Sequence, residues 1–252
     1  MKLLWIGAAL AAWLAPAQKP DTFTVKTEDE FTIHGELQVP KKRTRSPHWW
    51  CSSTTPREAI PIFGGRGKFF RAGYAVVTFD LRGHNESDKK DGRAIDLEKD
   101  ETWKFMRRDL SAAIKHCQEQ AGVDGDRVVY VGSGFGAAMA LKAGASDEST
   151  KAVIGLSTPL AQPFTKDDCS KPIKALAAKV PILLVTGKGE DDKKNAKYLE
   201  TYAKEASPKA FEIKNVPNDV HGADLLAAKP SLAEEMIAWL KKNGVDPAAK
   251  PK

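Results

Sequence analysis

The stretch Gly132-Ser133-Gly134-Phe135-Gly136 decides the fold of this chain, because of the segments on either side of it. The run Arg127–Val131 before it is apolar enough for a buried strand, and the run Ala137–Ala143 after it is typical of a helix. A tight strand-to-helix turn of this kind holds its central residue above the end of a sheet. The central residue here is Gly134, which has no side chain.

Strand patterns and helix patterns alternate along the rest of the chain. Thr22–Lys26 and Phe31–Pro40 alternate apolar with polar residues and predict an entry hairpin, whereas Tyr74–Asp80 is almost continuously apolar, as in a strand buried on both faces. Alternating strands and helices predict βαβ crossovers and a mostly parallel sheet. The other predicted strands are Val128–Val131, Ala152–Leu156, Pro181–Thr186 and Ala210–Ile213, and the other predicted helices are Arg107–Gln120, Lys194–Glu205 and Ser231–Lys242.

The stretch Gly73–Ser87 reads GYAVVTFDLRGHNES and resembles a known family pattern. It is similar to the G-Y-x-V-x-x-x-D-x-R-G-H-G-x-S segment of the α/β-hydrolase superfamily. From about Phe31 to Asn243 the chain resembles the dienelactone hydrolase and small-esterase branch of that superfamily. The resemblance implies an α/β fold of the α/β-hydrolase type, in which a mostly parallel central sheet is flanked by helices.

Length and composition favour one domain behind a removable amino-terminal segment. The chain has 252 residues, 42% of them apolar, and no Pro- or Gly-rich linker divides it. Residues 1–17 combine Lys2 with an apolar run and an Ala-Pro-Ala ending, which predicts a signal peptide and an exported domain over residues 18–252, with no membrane span after cleavage. Prolines in Thr158–Leu176 favour an irregular, reduced cap, and residues 244–252 predict a flexible tail.

Charge and motif content exclude several classes of function. The formal net charge is +6, but lysines and acidic residues are interleaved rather than gathered into a basic stripe with aromatics, so no nucleic-acid partner is expected. The spacing of Cys51, Cys117 and Cys169 matches no metal site. The chain has neither a P-loop nor a G-x-G-x-x-G turn that opens a nucleotide-binding unit. The sequence therefore predicts no cofactor.

The α/β-hydrolase resemblance implies a catalytic triad in the chain order nucleophile, acid, His. Spacing places the acid at Glu190 or Asp191, in the loop Gly187–Asp192 that follows a predicted strand. The alternative for either residue alone is a solvated acidic loop or helix start. The His would be His221, in the segment Val216–Leu226 ahead of the last helix, where an imidazole could act as general base. Its alternative is an ordinary His on a surface loop.

The nucleophile of this triad is missing. Without a side chain at Gly134, no covalent acyl-enzyme can form there. Ser133 is the alternative nucleophile, but it stands one residue early on a tight turn and would point elsewhere. By resemblance, the residue after the turn, Phe135, would contribute its backbone N–H to an oxyanion hole.

Residues 46–67 depart from the family pattern. The resemblance places a central strand and an oxyanion loop there, but the stretch shows no buried-strand pattern and would make a poor central strand. Because Trp has a single codon, reading His48–Cys51 in the neighbouring frame gives Leu, Val and Val in succession. We therefore hypothesise two compensating frameshifts, one near Arg45 and one near Gly67. If residues 46–67 are in the true frame, the central strand is altered and no oxyanion loop is recognisable.

Three classes of function remain. The first is an exported, degenerate hydrolase-fold protein that lacks the serine of the turn and binds a small ester, lactone or other acyl ligand. The second is an active ester or lactone hydrolase that uses Ser133 or a water activated by His221. The third is a non-catalytic domain that binds a partner. Gly134 favours the first class over the second, and the retained acid loop and His221 favour it over the third.

Overall fold

The computed structural model describes residues 19–41, 46–53, 65–87, 104–160 and 166–249. Eight strands among these residues form one sheet. The strands are Asp21–Lys26 (β1), Thr32–Gln38 (β2), Ser46–Ser53 (β3), Ala75–Asp80 (β4), Val123–Ser133 (β5), Thr150–Leu156 (β6), Ile182–Thr186 (β7) and Phe211–Asn215 (β8). Their order across the sheet is β1-β2-β4-β3-β5-β6-β7-β8.

The sheet is antiparallel at one edge and parallel over the rest of its width. Strands β1 and β2 form an antiparallel hairpin, and β2 also pairs antiparallel with β4. In the rest of the sheet, from β4 through β3, β5, β6 and β7 to β8, every neighbouring pair is parallel. The predicted entry hairpin and the mostly parallel sheet are therefore confirmed. Because parallel strands all end at the same edge, the loops after β5, β6, β7 and β8 gather there.

Helices cover both faces of the sheet. The α-helices among the described residues are 65–72 (α1), Arg107–Gln118 (α2), Phe135–Ser146 (α3), Lys166–Ala177 (α4), Glu190–Glu205 (α5), Asp224–Ala228 (α6) and Leu232–Lys242 (α7). Because side chains alternate between the two faces of the sheet, each strand contributes to the packed core on both sides. In β5, Val128 and Tyr130 belong to the core shared with α2 to α5, and Val129 and Val131 belong to the core shared with α1, α6 and α7.

The first part of the segment 46–67 forms a central strand, although its sequence shows no buried-strand pattern. Residues Ser46–Ser53 form β3, which lies between β4 and β5 and runs parallel to both. Strand pairing is made by backbone N–H and C=O groups. The free edges of β4 and β5 can therefore pair with β3 although its residues have a poor propensity for strands. Residues 54–64 lie outside the described residues, and the frameshift hypothesis stays a prediction.

A helix occupies most of the segment for which the sequence predicts an irregular, reduced cap. Helix α4 packs against α3 and α5, in the layer on one face of the sheet. Its apolar side chains recur at helical spacing, and burying them outweighs the hydrogen bond that Pro172 cannot donate. The buried apolar residues of α4 are Cys169, Ile173, Leu176 and Ala177. Residues 161–165, which include Pro163, lie outside the described residues.

The sequence predicts that both ends of the chain lie apart from the folded domain. Residues 1–18, with the predicted signal peptide, lie outside the described residues. At the other end Val245 is buried, and its carbonyl accepts a hydrogen bond from the Tyr74 hydroxyl at 2.7 Å. The flexible tail over residues 244–252 stays a prediction, and Val245 within it packs against the domain. Within the described ranges, no helix is long and apolar enough to cross a membrane.

Candidate functional site

A sharp turn at Gly134 joins the end of β5 to the start of α3. Gly134 has φ 50° and ψ −120°, a conformation that strains any residue with a Cβ atom. Its N–H donates to the carbonyl of Leu156, at the end of β6, over 2.9 Å. A side chain at Gly132 would collide with the backbone of Gly136, so a glycine there lets the chain fold back this tightly. The predicted turn is present, and it carries no side chain at its centre.

Ser133, the alternative nucleophile, is the last residue of β5 and is fully buried. It shares a face of the strand with Val129 and Val131, because side chains alternate along a strand. Its hydroxyl makes no hydrogen bond to any residue of the described part of the chain. The structure therefore gives solvent no access to Ser133 and does not join its hydroxyl to His221.

One carboxylate faces His221 at the edge where the parallel strands end. Nδ1 of His221, in the loop after β8, lies 3.0 Å from Oδ1 of Asp192. The imidazole side chain is 60% exposed, whereas the Asp192 side chain is only 8% exposed. A buried carboxylate in this position fixes which ring nitrogen carries the proton and stabilises the imidazolium form. The two side chains therefore have the geometry of an acid–base pair.

Among the described side chains, the carboxylate against His221 is Asp192, which is neither of the two acids predicted from the sequence. Glu190 is the first residue of α5, Asp191 is exposed, and the contact is made by Asp192, the next residue. Spacing places all three in the loop before a helix predicted from Lys194, with a helix start as the alternative, and the structure has them in the first turn of α5. Successive side chains on a helix are rotated by about 100°, so neighbouring acids at a helix start point in different directions, and the structure places Asp192 against His221. Sequence reasoning missed Asp192 because the predicted helix begins only at Lys194, four residues after the observed start of α5.

A second oxygen of Asp192 is held by Ser157, a residue that sequence reasoning also missed. The Ser157 hydroxyl donates to Oδ2 of Asp192 at 2.6 Å and accepts from the backbone N–H of Gly222 at 2.8 Å. The N–H of Gly187 approaches the same carboxylate oxygen at 3.4 Å. No sequence signal marks Ser157, because its role depends on the meeting of loops from three strands.

A comparison with protein-family models identifies the scaffold. The model of the dienelactone hydrolase family matches residues 66–232, which is more than half of the chain. This chain belongs to the dienelactone hydrolase family. The matched residues include the Gly134 turn, Ser157, Asp192 and His221, so all the site residues described above lie within the segment that the family model covers.

Relatives with curated descriptions match only part of this dienelactone hydrolase family member. The Escherichia coli "Uncharacterized 31.7 kDa protein in traX-finO intergenic region" is 28% identical over 123 residues, 47% of this chain and 39% of that protein. The "Quorum-quenching protein AidA" of Acinetobacter baumannii (strain MDR-ZJ06) is 30% identical over 122 residues, 48% of this chain and 37% of that protein. The matched stretch spans less than two fifths of either relative.

Similarity to solved structures extends over nearly the whole chain. The Pyrococcus furiosus esterase Pf2001 superimposes with a TM-score of 0.71 and 15% sequence identity, over 89% of this chain and 90% of that one. At this level of identity the similarity shows the shared α/β-hydrolase fold.

Opposing effects set the pKa of Asp192 in this family member. Burial favours the neutral acid and raises the pKa, but hydrogen bonds from His221 and Ser157 favour the carboxylate and lower it. The charge of the imidazolium and the N–H of Gly187 act in the same direction as those hydrogen bonds. The net result is a pKa below the ordinary value of 3.8. Asp192 is therefore negatively charged near neutral pH.

Phe135 begins α3 directly after the Gly134 turn. The first turn of a helix has N–H groups without intrahelical partners, and the helix dipole favours negative charge there. The oxyanion role of the Phe135 N–H stays a prediction. The oxyanion loop that would face it is expected after β3, on residues outside the described part of the chain.

The cysteines with described side chains are buried and protonated. Burial is the largest cause that raises the pKa of the Cys117 and Cys169 thiols to about 12. Neither thiol is available as a thiolate near neutral pH. Over the described ranges, no group of three or more His, Cys, Asp and Glu side chains is placed to hold a metal ion.

Proposed function

We propose that this protein is an exported, degenerate hydrolase of the dienelactone hydrolase family, which keeps an acid–base pair and has lost the serine of the turn. The observation that carries the proposal is Gly134 itself, which has φ 50° and ψ −120° at the junction of β5 and α3. Glycine adopts this conformation without strain, so the backbone of the turn persists although the nucleophile is gone.

Covalent acyl transfer at this site needs a side chain that attacks the acyl carbon. Gly134 supplies none, and Ser133 is fully buried. Loss of the nucleophile from a triad lowers the rate by several orders of magnitude. The function that these residues still support is recognition of an acyl group beside His221.

We propose a small ester, lactone or other acyl compound as the ligand. Membership in the dienelactone hydrolase family supports this class of ligand, as does the fold shared with an esterase. In open sheets with parallel strands, ligands bind outside the carboxyl ends of the strands. The Asp192–His221 pair lies at that edge, after β7 and β8.

The test restores the missing hydroxyl with Gly134→Ser and measures hydrolysis of p-nitrophenyl acetate and of a simple lactone. Wild-type protein is expected to stay at the background rate, and Gly134→Ser is expected to gain on the order of 10³-fold. The matched control is the double variant Gly134→Ser/His221→Ala, in which the gain should disappear. A folded Gly134→Ser protein without activity would refute the retained acid–base machinery and favour the partner-binding domain.

A second candidate is direct hydrolysis by a water that His221 activates. The observation in its favour is the contact between His221 Nδ1 and Asp192, which orients the imidazole as a base. Gly134 offers this base no hydroxyl to activate, so a water molecule could take that place. The water would attack the acyl carbon while the imidazole takes its proton, and the imidazolium would then protonate the departing alkoxide. A weak wild-type activity that is lost in His221→Ala and kept in Ser133→Ala would establish this mechanism. Loss in Ser133→Ala would instead identify Ser133 as the nucleophile.

The Acinetobacter relative adds quorum quenching as a biological role to test. The similarity of 30% over 122 residues supports it as a proposal for this chain. Wild-type protein added to a quorum-sensing reporter culture is expected to lower the reporter signal, and His221→Ala is expected to be less effective. An unchanged reporter signal would reject this role.

Export completes the proposal and rests on residues 1–17. Expression of the full chain in a bacterial host, followed by amino-terminal sequencing of the extracytoplasmic protein, is expected to give a mature chain that starts at Gln18. Recovery of the uncleaved chain in the cytoplasm would reject export.

A further inference from the structure

Ser157 lies where three segments of the candidate site meet. It follows β6 directly and is fully buried. Its hydroxyl oxygen is 2.6 Å from Oδ2 of Asp192 and 2.8 Å from the backbone N of Gly222. Because Gly222 donates to this oxygen, the hydroxyl proton is directed at Asp192. A single hydroxyl therefore joins the acid to the residue that follows His221.

The backbone of Ser157 adopts a conformation that serine rarely takes. Its φ is 50°, in the left-handed region, and its N–H donates to the carbonyl of Val185 at 2.8 Å. A non-glycine residue stays in this region only where surrounding contacts hold it there, and such strain clusters at functional sites. The strained residue here is also the one whose hydroxyl touches the acid.

We propose that Ser157 is a positioning residue, which holds Asp192 and His221 in a fixed relation through the backbone of the His loop. The inference rests on the acid and base roles proposed for those two residues. Oδ1 of Asp192 faces His221 and Oδ2 faces Ser157, so the carboxylate cannot rotate without losing one of the two contacts. Equally, Gly222 cannot move without losing its acceptor.

This role differs from that of a nucleophile. The Ser157 side chain is fully buried, and its proton is engaged by Asp192 rather than by His221. The hydroxyl acts on the reaction only through the position of the pair, as other groups do that orient a catalytic acid or base.

The first test measures the pKa of Asp192 by carbon NMR of its carboxyl group, in the full chain. Ser157→Ala removes the donor and keeps the Cβ atom, so the pKa of Asp192 is expected to rise. Thr158→Val is the matched control, because the neighbouring Thr158 hydroxyl is also buried but has no hydrogen-bond partner among the described residues. Thr158→Val is expected to leave the pKa unchanged.

A second variant separates the hydroxyl from the backbone strain. Ser157→Gly removes the hydroxyl and also relieves the positive φ, so it stays testable if Ser157→Ala fails to fold. Both variants should raise the pKa of Asp192 to a similar extent, since the missing donor is common to them. An unchanged pKa in a folded Ser157→Gly protein would overturn the proposal.

The second test uses activity in the Gly134→Ser background. Adding Ser157→Ala is expected to lower kcat about 10- to 100-fold with little change in KM, because a displaced base affects the chemical step more than ligand binding. Adding Thr158→Val should leave both constants as they are. An equal loss of kcat with Ser157→Ala and with Thr158→Val would show that Ser157 acts only through packing. If Gly134→Ser itself is inactive, the proposed machinery fails, while the pKa of Asp192 still decides the role of Ser157.

Discussion

Asp192 and His221 lie 3.0 Å apart, Oδ1 to Nδ1, although one belongs to the first turn of α5 and the other to the loop after β8. The two segments are also joined by their backbones, since the N–H of Lys188 donates to the carbonyl of Asn218 at 2.7 Å. The loops therefore meet independently of the two side chains. Substitution of either side chain is expected to change the chemistry of the pair without dissolving the loop junction.

Removing the charge of Asp192 should destabilise the protein in a pH-dependent way. The folded-state pKa of Asp192 lies below its ordinary value of 3.8, so its charge stabilises the fold above that pH and this stabilisation is lost as the pH falls through the lowered pKa. Asp192→Asn is therefore expected to lower the free energy of unfolding by about 1–3 kcal/mol near neutral pH. The difference from wild type should shrink below about pH 4.

Urea unfolding at several pH values measures this effect. Asp191→Asn is the matched control, because the Asp191 side chain is exposed and its substitution is expected to change the free energy of unfolding much less at neutral pH. A loss that is the same at neutral and acid pH would contradict the charged state assigned to Asp192.

Arg82 joins the entry hairpin to α2 through a buried ion network. Its guanidinium contacts Asp109, which is fully buried, at 2.6 Å and Asp29, in the turn after β1, at 2.7 Å. Arg82→Met would leave the Asp109 carboxylate buried without its counter-ion, so a loss of about 3–5 kcal/mol in the free energy of unfolding is expected. Lys26→Ala is the control, since its ion pair with Glu30 is exposed and contributes only about 0–1 kcal/mol. Similar losses for the two variants would refute the buried network.

Tyr74 attaches the end of the chain to the domain. Its buried hydroxyl donates to the carbonyl of Val245 at 2.7 Å, and burial raises the pKa of Tyr74 well above its ordinary value. Tyr74→Phe is expected to lower the free energy of unfolding by about 1 kcal/mol and to expose the segment after α7 to proteases. Limited proteolysis followed by mass spectrometry measures the exposure. Tyr202→Phe, whose hydroxyl meets that of Tyr198, is the control and should leave this end protected.

The reading frame of residues 46–67 can be checked directly. Tryptic peptides of the natively expressed protein that cover 46–57 and 58–66 distinguish the two frames. The frameshift hypothesis predicts peptides from the neighbouring frame, with a Leu-Val-Val run in place of His48–Cys51. Peptides with the sequence as written would discard the hypothesis and leave β3 as an altered central strand.

Elements that are buried on both faces can be predicted from this sequence. The apolar run before Asp80 predicts β4 almost to the residue, because continuous burial leaves a compositional signal. The start of α5 leaves no such signal, since Asp191, Lys193 and Lys194 are exposed and show no apolar period. A helix predicted from Lys194 leaves the preceding acids in a loop, and this is why spacing points to Glu190 or Asp191 rather than to Asp192.

The contacts within the site depend on tertiary structure that sequence patterns do not encode. Ser157 reaches Asp192 because its φ is positive and because loops after β6, β7 and β8 meet. In β3, the pairing comes from the open edges of β4 and β5 rather than from the propensity of its own residues. Gly134 and His221, by contrast, are recognisable from the sequence, since each lies within a local motif.

The most direct measurement is intact-mass spectrometry after incubation with a fluorophosphonate, a reagent that forms a covalent adduct with activated serine hydroxyls. We expect no adduct on the wild-type protein, because the centre of the turn is Gly134. A single adduct is expected on Gly134→Ser, and none on Gly134→Ser/His221→Ala. An adduct on the wild-type protein, at Ser133 or at any other serine, would contradict the claim that this site has an acid and a base but no nucleophile.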